Sequence, residues 1–347
     1  MMRLLARLLA SVAAAILLAS GLVAGPQVAA ACACGAVVSD TSVSGETAII
    51  IWNGTRQSID MVMPLESSTP DAGWIMPTPR GAHVALGKEA AFSLMAEAVA
   101  PEVIHKKRWR LGLGRLFGGA GEAGGAPPPG VEVLGSQQVG PFTVTTLAGS
   151  DGEAVNGWLL GHGYETRDDL VPAFQEYLSA GWVLQAVKLT PSEEDGAFKG
   201  ELPPLRLTFG TTEPVYPIKL SAHAELDQSL RLYLVSDQPM RIREQAAPGS
   251  PLTLIYSGPV STSSLDSDLI ITEAAQLSAY EGWLQPHDIT QEFTFAAAPD
   301  MAPFRRQVVV YDDVGEELTV VVILGLLLGA PLLIIALIVR RVTRKPA

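Results

Sequence analysis

Apolar and polar positions along the chain alternate in blocks that predict strands first and a helix afterwards. Two strand-like apolar runs, 48–52 and 58–65, flank Asn53-Gly54. Both of these turn residues accept positive φ, so the pattern predicts a β-hairpin. Between Phe92 and Val99 the apolar residues recur at helical spacing instead, which predicts a helix that ends before Pro101.

The rest of the chain continues this mixture of strand and helix patterns. A capping box at Ser150 to Glu153 predicts a short helix, and helical spacing from Leu170 to Leu178 predicts another that ends at Gly181. A further helix is predicted near 272–280. Runs of Val, Leu, Ile and aromatic residues predict strands near 73–77, 131–139, 141–148, 182–190, 205–210, 215–221, 230–236, 240–244, 252–256, 290–296 and 306–311.

The longest apolar pattern lies near the C-terminus. Residues 318–339 form a run of 22 residues without a charge, and a basic cluster over 340–345 follows at once. As a helix this run spans about 33 Å, enough to cross the hydrocarbon core of a bilayer. We predict a transmembrane helix over 316–340 and a cytoplasmic tail over 341–347, because basic residues favour the cytoplasmic face.

The N-terminal end has the pattern of a secretory signal peptide. Arg3 and Arg7 precede an apolar stretch over 8–23, and three alanines at 29–31 offer a cleavage site. With residues 1–31 removed, the chain is predicted to be a single-pass protein of the cell membrane, with its main domain outside. The predicted fold class is an α+β extracytoplasmic domain with a mostly antiparallel sheet and a few amphipathic helices, plus one C-terminal transmembrane helix.

Charge restricts the partners of the exported body. This body holds 18 basic residues and all 36 acidic residues, which gives a formal charge of −18. We therefore expect no binding to nucleic acid, which selects basic surfaces. The expected partners are the lipid bilayer, through the C-terminal helix, and another envelope protein or an anionic envelope component.

Cysteine is rare, since only Cys32 and Cys34 occur, so no disulfide framework holds the domain. Cleavage after residue 31 leaves Cys32 at the new N-terminus, where it is a candidate for lipidation. A flexible N-terminus that tolerates Cys32 is the alternative. Two thiols with no His or Asp beside them make a poor metal site, and we predict no metal and no cofactor.

Composition changes after residue 101 and divides the predicted domain. We predict a first part over 32–104, a basic loop rich in Gly and Pro over 105–130, a second part over 131–245, and a C-terminal extension or subdomain over 246–315. The loop carries side chains suited to contact with anionic lipid or envelope polymer: Lys106, Lys107, Arg108, Trp109, Arg110 and Arg115. A solvated linker is the alternative.

The predicted membrane helix contains Gly325 and Gly329, four positions apart. This spacing lets two helices approach closely, and it predicts a homodimer through the membrane. The alternative is a chance pair, because glycine pairs are frequent in apolar helices.

Several stretches together resemble a bacterial exported family catalogued as domain of unknown function 2330. The stretches are Ala33-Cys34-Gly35, Trp74 to Pro79, Gly140-Pro141, Trp158 to Tyr164, Gly181 to Leu189 and Tyr216 to Leu220. They cover roughly residues 33–300 in family order. The resemblance implies an exported domain, often membrane-tethered, with no established activity and no catalytic residues to carry over.

The chain lacks the common catalytic motifs, including a nucleophile elbow, a His-Glu-x-x-His pair and a phosphate loop. His162, which lies between two glycines, is the best single candidate for an acid, base or metal ligand. Its alternative is a turn residue with a local hydrogen bond. We predict a non-enzymatic binding or interaction module of the bacterial envelope, and the alternative is an envelope hydrolase with an unrecognised active site.

Overall fold

The computed structural model describes residues 36–37, 41–43, 45–62, 64–67, 73–108, 132–164, 166–189, 199–224, 226–262, 265, 269 and 274–313. The described residues within 1–99 and 120–304 form one compact unit. Those within 100–119 and 305–347 form a second unit.

Strands dominate these ranges, which contain only three α-helices. The helices are α1 (Glu89–Ala98), α2 (Gly152–Gly161) and α3 (Val171–Ser179). In chain order the strands are β1 (Ala36–Val37), β2 (Thr41–Val43), β3 (Gly45–Trp52), β4 (Arg56–Val62), β5 (Pro64–Ser67), β6 (Gly73–Thr78), β7 (His83–Leu86), β8 (Glu102–Arg108), β9 (Glu132–Val139), β10 (Phe142–Ala148), β11 (Val183–Leu189), β12 (Lys199–Glu201), β13 (Leu205–Gly210), β14 (Val215–Tyr216), β15 (Gln228–Ser236), β16 (Met240–Glu244), β17 (Thr253–Ser261), β18 (Ala274–Leu284), β19 (Phe293–Ala297), β20 (Phe304–Arg305) and β21 (Gln307–Asp313).

The predicted α+β class is wrong, because the regular structure is predominantly strand. Among the described residues, helices are confined to α1, α2, α3 and three short 3-10 turns. Within the described ranges no helix is both long and apolar enough to cross a bilayer. The helix predicted over 316–340 and the signal peptide predicted over 1–31 lie outside these ranges.

The largest sheet has eight strands in the order β20-β17-β18-β15-β3-β4-β13-β7. Its long central strands pair antiparallel, with one exception. Strand β3 pairs with β15 in parallel, so that Gly45 lies beside Ser229 and Ile51 beside Val235. This parallel pair joins the beginning of the described chain to a strand about 180 residues later.

The predicted hairpin at Asn53-Gly54 is present between β3 and β4. Gly54 has φ +97°, a conformation that side chains disfavour and glycine accepts. The Asn53 side-chain oxygen accepts hydrogen bonds from the N–H groups of Thr55 (3.1 Å) and Arg56 (2.9 Å). The turn chemistry therefore fixes the register that aligns β3 with β4.

The first unit stacks four layers around three apolar cores. Residues alternate between the faces of each strand, so the eight-stranded sheet and the five-stranded sheet (β9-β10-β11-β6-β1) each face two cores. The core between the two sheets includes Ile50, Leu232, Trp74 and Val187. The outer face of the five-stranded sheet packs against α2 and α3 through Ile75, Leu184, Leu159 and Phe174. The outer face of the eight-stranded sheet packs against α1 through Ile49, Tyr233, Leu277 and Met95.

The helix predicted near 272–280 is wrong, because Ala274–Leu284 is strand β18. Its alanine-rich composition favours a helix only weakly, and tertiary packing overrides such a preference. The strand pairs on both sides, with β15 and with β17. Ala275, Leu277 and Ala279 then pack on the face that carries α1.

A buried ion pair links β4 to β13. The Nε and Nη2 atoms of Arg206 donate to the two carboxylate oxygens of Asp60, at 2.6 and 2.5 Å. The Asp60 side chain is 1% exposed and that of Arg206 is 14% exposed. Gly87 makes room for the pair, since a Cβ at that position would lie 2.9 Å from Asp60 Oδ2.

The second unit contains a ribbon of two parallel strands, β8 and β21. Gln307 lies beside Glu102, and the register runs without a shift to Asp313 beside Arg108. Strand β8 thus extends into the segment predicted to be a loop from residue 105. Because the strands are parallel, Arg108 and Asp313 lie at the same end of the ribbon.

Candidate functional site

One face of the eight-stranded sheet is covered by α1 at one end and is open at the other. Under the helix this face is apolar. Side chains two positions apart share a face, so the same face continues to the open ends of β3, β15 and β18. There it carries polar and aromatic side chains, in registry across the three strands: Thr47, Arg231, Glu281 and Trp283.

The open end holds a hollow of about 410 Å³. Trp283 borders it and remains 64% exposed, the largest exposed fraction among the large apolar side chains of the described ranges. Gly45 and Ser229 form part of the floor. A Cβ at Gly45 would lie 3.0 Å from the Ser229 Cβ, so the missing side chain keeps the floor low.

A second hollow, of about 480 Å³, adjoins the first and shares Thr47 and Arg231 with it. Its other side is the exposed flank of α1, which contributes Glu89, Phe92 and Ser93. We call the two hollows together the sheet-end groove. Its defining residues are Gly45, Thr47, Glu89, Phe92, Ser93, Ser229, Arg231, Glu281 and Trp283.

Arg231 lies where the two hollows meet. Its Nε and Nη2 atoms donate to Glu281 Oε2 at 3.0 and 2.7 Å. Burial lowers the pKa of Arg231, but its hydrogen bonds with Glu281 and Tyr233 outweigh this effect and the net shift is upward. Burial raises the pKa of Tyr233, and Arg231 opposes this only in part. The groove therefore holds a charged arginine, which is hydrogen-bonded to Glu281 and to the buried, protonated Tyr233.

A second group with a perturbed pKa lies away from the groove. Burial raises the pKa of Glu292, against hydrogen bonds from Tyr177, Ile218 and Lys219 that lower it. The Tyr177 hydroxyl donates to one carboxylate oxygen, and the N–H groups of Ile218 (2.5 Å) and Lys219 (3.1 Å) donate to the other. Glu292 thus joins α3 to the turn after β14, which is a structural role.

His162 and His223 each contact one neighbouring group in the fold. His162 stacks on Trp158 with ring centroids 3.8 Å apart, and its Nδ1 lies 2.7 Å from the Trp158 carbonyl oxygen, which can only accept a hydrogen bond. His223 Nδ1 lies 3.2 Å from Asp169 Oδ2. The same carboxylate also accepts two hydrogen bonds from Arg167, at 2.9 Å each. This exposed cluster ties two turns together.

Of the contact and lipidation residues predicted from the sequence, three are described, and all three belong to β8. Lys106 is exposed on β8, and Lys107 and Arg108 continue that strand. Outside the described ranges lie Cys32, Trp109, Arg110, Arg115, Gly325 and Gly329. Within the ranges, no group of three or more His, Cys, Asp and Glu side chains is placed to hold a metal ion.

The comparisons with known proteins identify a family without assigning a role. A family model described as an uncharacterised protein conserved in bacteria (DUF2330) matches residues 28–296. The chain belongs to this family. The resemblance read from the sequence is thereby confirmed. No curated protein and no solved structure matches the chain.

In this DUF2330 protein, four of the stretches that carried the resemblance contribute side chains to one apolar core. Ile75, Leu159, Tyr164, Leu184 and Leu220 come from four of those stretches, and all pack between the five-stranded sheet and the helices α2 and α3. The outer parts of two of the stretches, Trp158 and Trp182, pack against the same core. These DUF2330 stretches therefore build the fold, and the sheet-end groove lies on a different sheet.

The groove of the DUF2330 protein was missed in the sequence because its residues are far apart in the chain. Its strongest signal was the pair Glu281 and Trp283, which alternates with Gly282 at strand spacing. The helix predicted near 272–280 ended just before that alternation, which was assigned to no strand. Arg231 was read only as part of a strand, and its partner Glu281 is 50 residues away.

Proposed function

We propose that the protein is a non-enzymatic binding module of the bacterial envelope, and that the sheet-end groove is its ligand site. One observation carries this proposal: an open polar groove with a largely exposed tryptophan at its border. A tryptophan in that position offers a large rigid contact area, which is why this side chain is frequent in binding surfaces. The neighbouring polar groups supply orientation.

Binding is favoured over hydrolysis by the way the charged groups are used. Two hydrogen bonds join Arg231 to Glu281, so the opposite charges of the groove hold each other in place, as groups that orient a ligand do. An envelope hydrolase would need a different site. The nearest arrangement is the pair His223 and Asp169, in which Asp169 is held by Arg167.

The proposed location is the outer face of the cell membrane, with the tail in the cytoplasm. The signal-peptide pattern, the acidic body and the apolar segment at 318–339 support it. The parallel ribbon supports this proposal, because Arg108, within the basic loop, pairs with Asp313, which precedes that apolar segment in the sequence. The cations of the basic loop would then be near anionic headgroups.

Flotation with lipid vesicles tests the two proposed membrane contacts. The full chain is expected to float with vesicles of any charge, and a variant without 318–339 is expected to float only with anionic vesicles at low salt. Replacing Lys106, Lys107, Arg108, Arg110 and Arg115 together by glutamine in that variant is expected to remove the remaining association. If the deletion variant floats equally with neutral vesicles, or with none, the basic segment is not a headgroup contact.

Photo-crosslinking tests the groove. A photoreactive residue at Ser93, which is exposed and lines the second hollow, is expected to form a reproducible adduct in native membranes. The same residue at Leu134, which is 51% exposed on the five-stranded sheet, is the matched control. Trp283→Ala is expected to weaken the Ser93 adduct. Equal adducts at both positions, or an adduct indifferent to Trp283→Ala, would count against the groove.

A further inference from the structure

The balance of charge in the sheet-end groove restricts the ligand that it can take. We propose that the groove binds an uncharged, polyhydroxylated chain, that is, a neutral glycan. This inference rests on the proposed function of the groove as a ligand site. It adds the chemical class of the ligand, and it uses the described side chains alone.

The indole ring of Trp283 offers a flat, exposed apolar surface at the border of the groove. Trp283 is on the same face of β18 as Glu281, and its side chain is 64% exposed. The apolar face of a sugar ring can pack flat on an indole, while the ring hydroxyls project to the sides. Such a contact gains from the large flat area of tryptophan without needing an opposite charge.

The polar side chains of the groove can hydrogen-bond to hydroxyl groups. A hydroxyl group both donates and accepts, so it is best met by a donor and an acceptor side by side. Arginine offers donors only and a carboxylate offers acceptors only, and Arg231 and Glu281 lie in hydrogen-bond contact with each other. Ser229 and Thr47 add two hydroxyl-bearing side chains along the same floor.

The charged side chains of the groove carry no net positive charge. The positive charge of Arg231 is balanced by Glu281 across a 2.7 Å contact, and Glu89 adds a negative charge at the far side. An anionic polymer would therefore meet no surplus of positive charge in the groove. The exported body as a whole carries a formal charge of −18, which opposes the approach of anionic polymers over longer distances.

The groove is elongated across the sheet. The floor crosses four neighbouring strands, from Trp283 on β18 through Arg231 and Thr47 to Val62 on β4. Three strand spacings give a width of about 14 Å. The two hollows share Thr47 and Arg231, so they form one continuous path. A short linear oligomer fits this path better than a single small molecule does.

Isothermal titration of the purified full chain tests the ligand class. The probes are three neutral hexasaccharides (maltohexaose, cellohexaose and chitohexaose) and one anionic oligomer, a hexamer of galacturonic acid. At least one neutral probe is expected to bind saturably, and the anionic probe is expected to bind at least about tenfold more weakly. Trp283→Ala is expected to weaken the neutral probe by about tenfold or more, and Trp283→Phe by less, because a phenyl ring keeps part of the platform.

Leu134→Ala removes an exposed apolar side chain from the other sheet and is expected to bind like the unmodified chain. The inference is overturned if none of the three neutral probes binds, if the anionic probe binds best, or if Trp283→Ala binds as tightly as the unmodified chain. An adduct at Ser93 together with no response to the neutral probes would leave the groove as a ligand site and reject only the glycan. Circular dichroism of each variant excludes loss of folding.

Discussion

Replacing Asp60 by alanine is expected to lower the free energy of unfolding by about 3–5 kcal/mol. The change removes the carboxylate that pairs with Arg206, while the guanidinium stays in a site where its side chain is only 14% exposed. Loss of the two charge-assisted hydrogen bonds that Asp60 accepts in this buried site accounts for most of the decrease. Urea unfolding followed by far-UV circular dichroism measures it, as a lower midpoint with little change in slope.

A double variant separates the ion pair from the packing around it. Asp60→Leu combined with Arg206→Met removes both charges and keeps most of the volume. Such replacements are often neutral, so the double variant is expected to be more stable than Asp60→Ala. A double variant as unstable as the single one would mean that shape, and the close approach of Gly87 to Asp60, outweighs the charge.

Trp74→Ala is expected to cost about 3–5 kcal/mol of the free energy of unfolding. Trp74 is 1% exposed in the core between the two sheets, and its ring meets that of Phe142 edge to face at 5.4 Å. The truncation leaves a cavity between layers that strands hold at a fixed spacing. Thermal or urea unfolding measures the loss.

Trp74→Phe is the matched control for this cavity. The indole N–H of Trp74 has no hydrogen-bond partner in the described structure, so a phenyl ring gives up volume and no hydrogen bond. It is expected to be clearly milder than alanine. Where the Trp74 variants remain folded, adduct formation at Ser93 is expected to be unchanged, because Trp74 is on the other sheet. A selective loss of the adduct would contradict the structural role given to this stretch.

Individual turns and helices were predicted well where their signals lie close together in the chain. The Asn53-Gly54 hairpin and the helices near α1, α2 and α3 depend on residues within a few positions of one another. Strand β18 failed this test because alanine and leucine favour a helix, and pairing on two sides overrode that preference. The class was misjudged for a related reason, since the segment predicted as a helix late in the chain, near 272–280, is part of a sheet.

The candidate site was harder to predict than the fold. Its groups come from β3, α1, β15 and β18, and they meet only because β3 pairs in parallel with β15. Nothing within a short window marks Arg231 or Glu281 as neighbours. The stretches with the most distinctive sequence, such as Trp74 to Pro79, contribute side chains to the apolar cores. Their distinctive residues therefore reflect packing and do not mark the groove.

The parallel pairings also bear on how the polypeptide reaches its native state. Strand β3 lacks its β15 neighbour until residue 229 and beyond are present, and β8 waits for a partner 205 positions downstream. Contacts between such distant residues slow the search for the native topology. In a newly made chain, the edges of β3 and β8 that face these partners should thus stay unpaired until the second half is present. The eight-stranded sheet would be completed only at that stage.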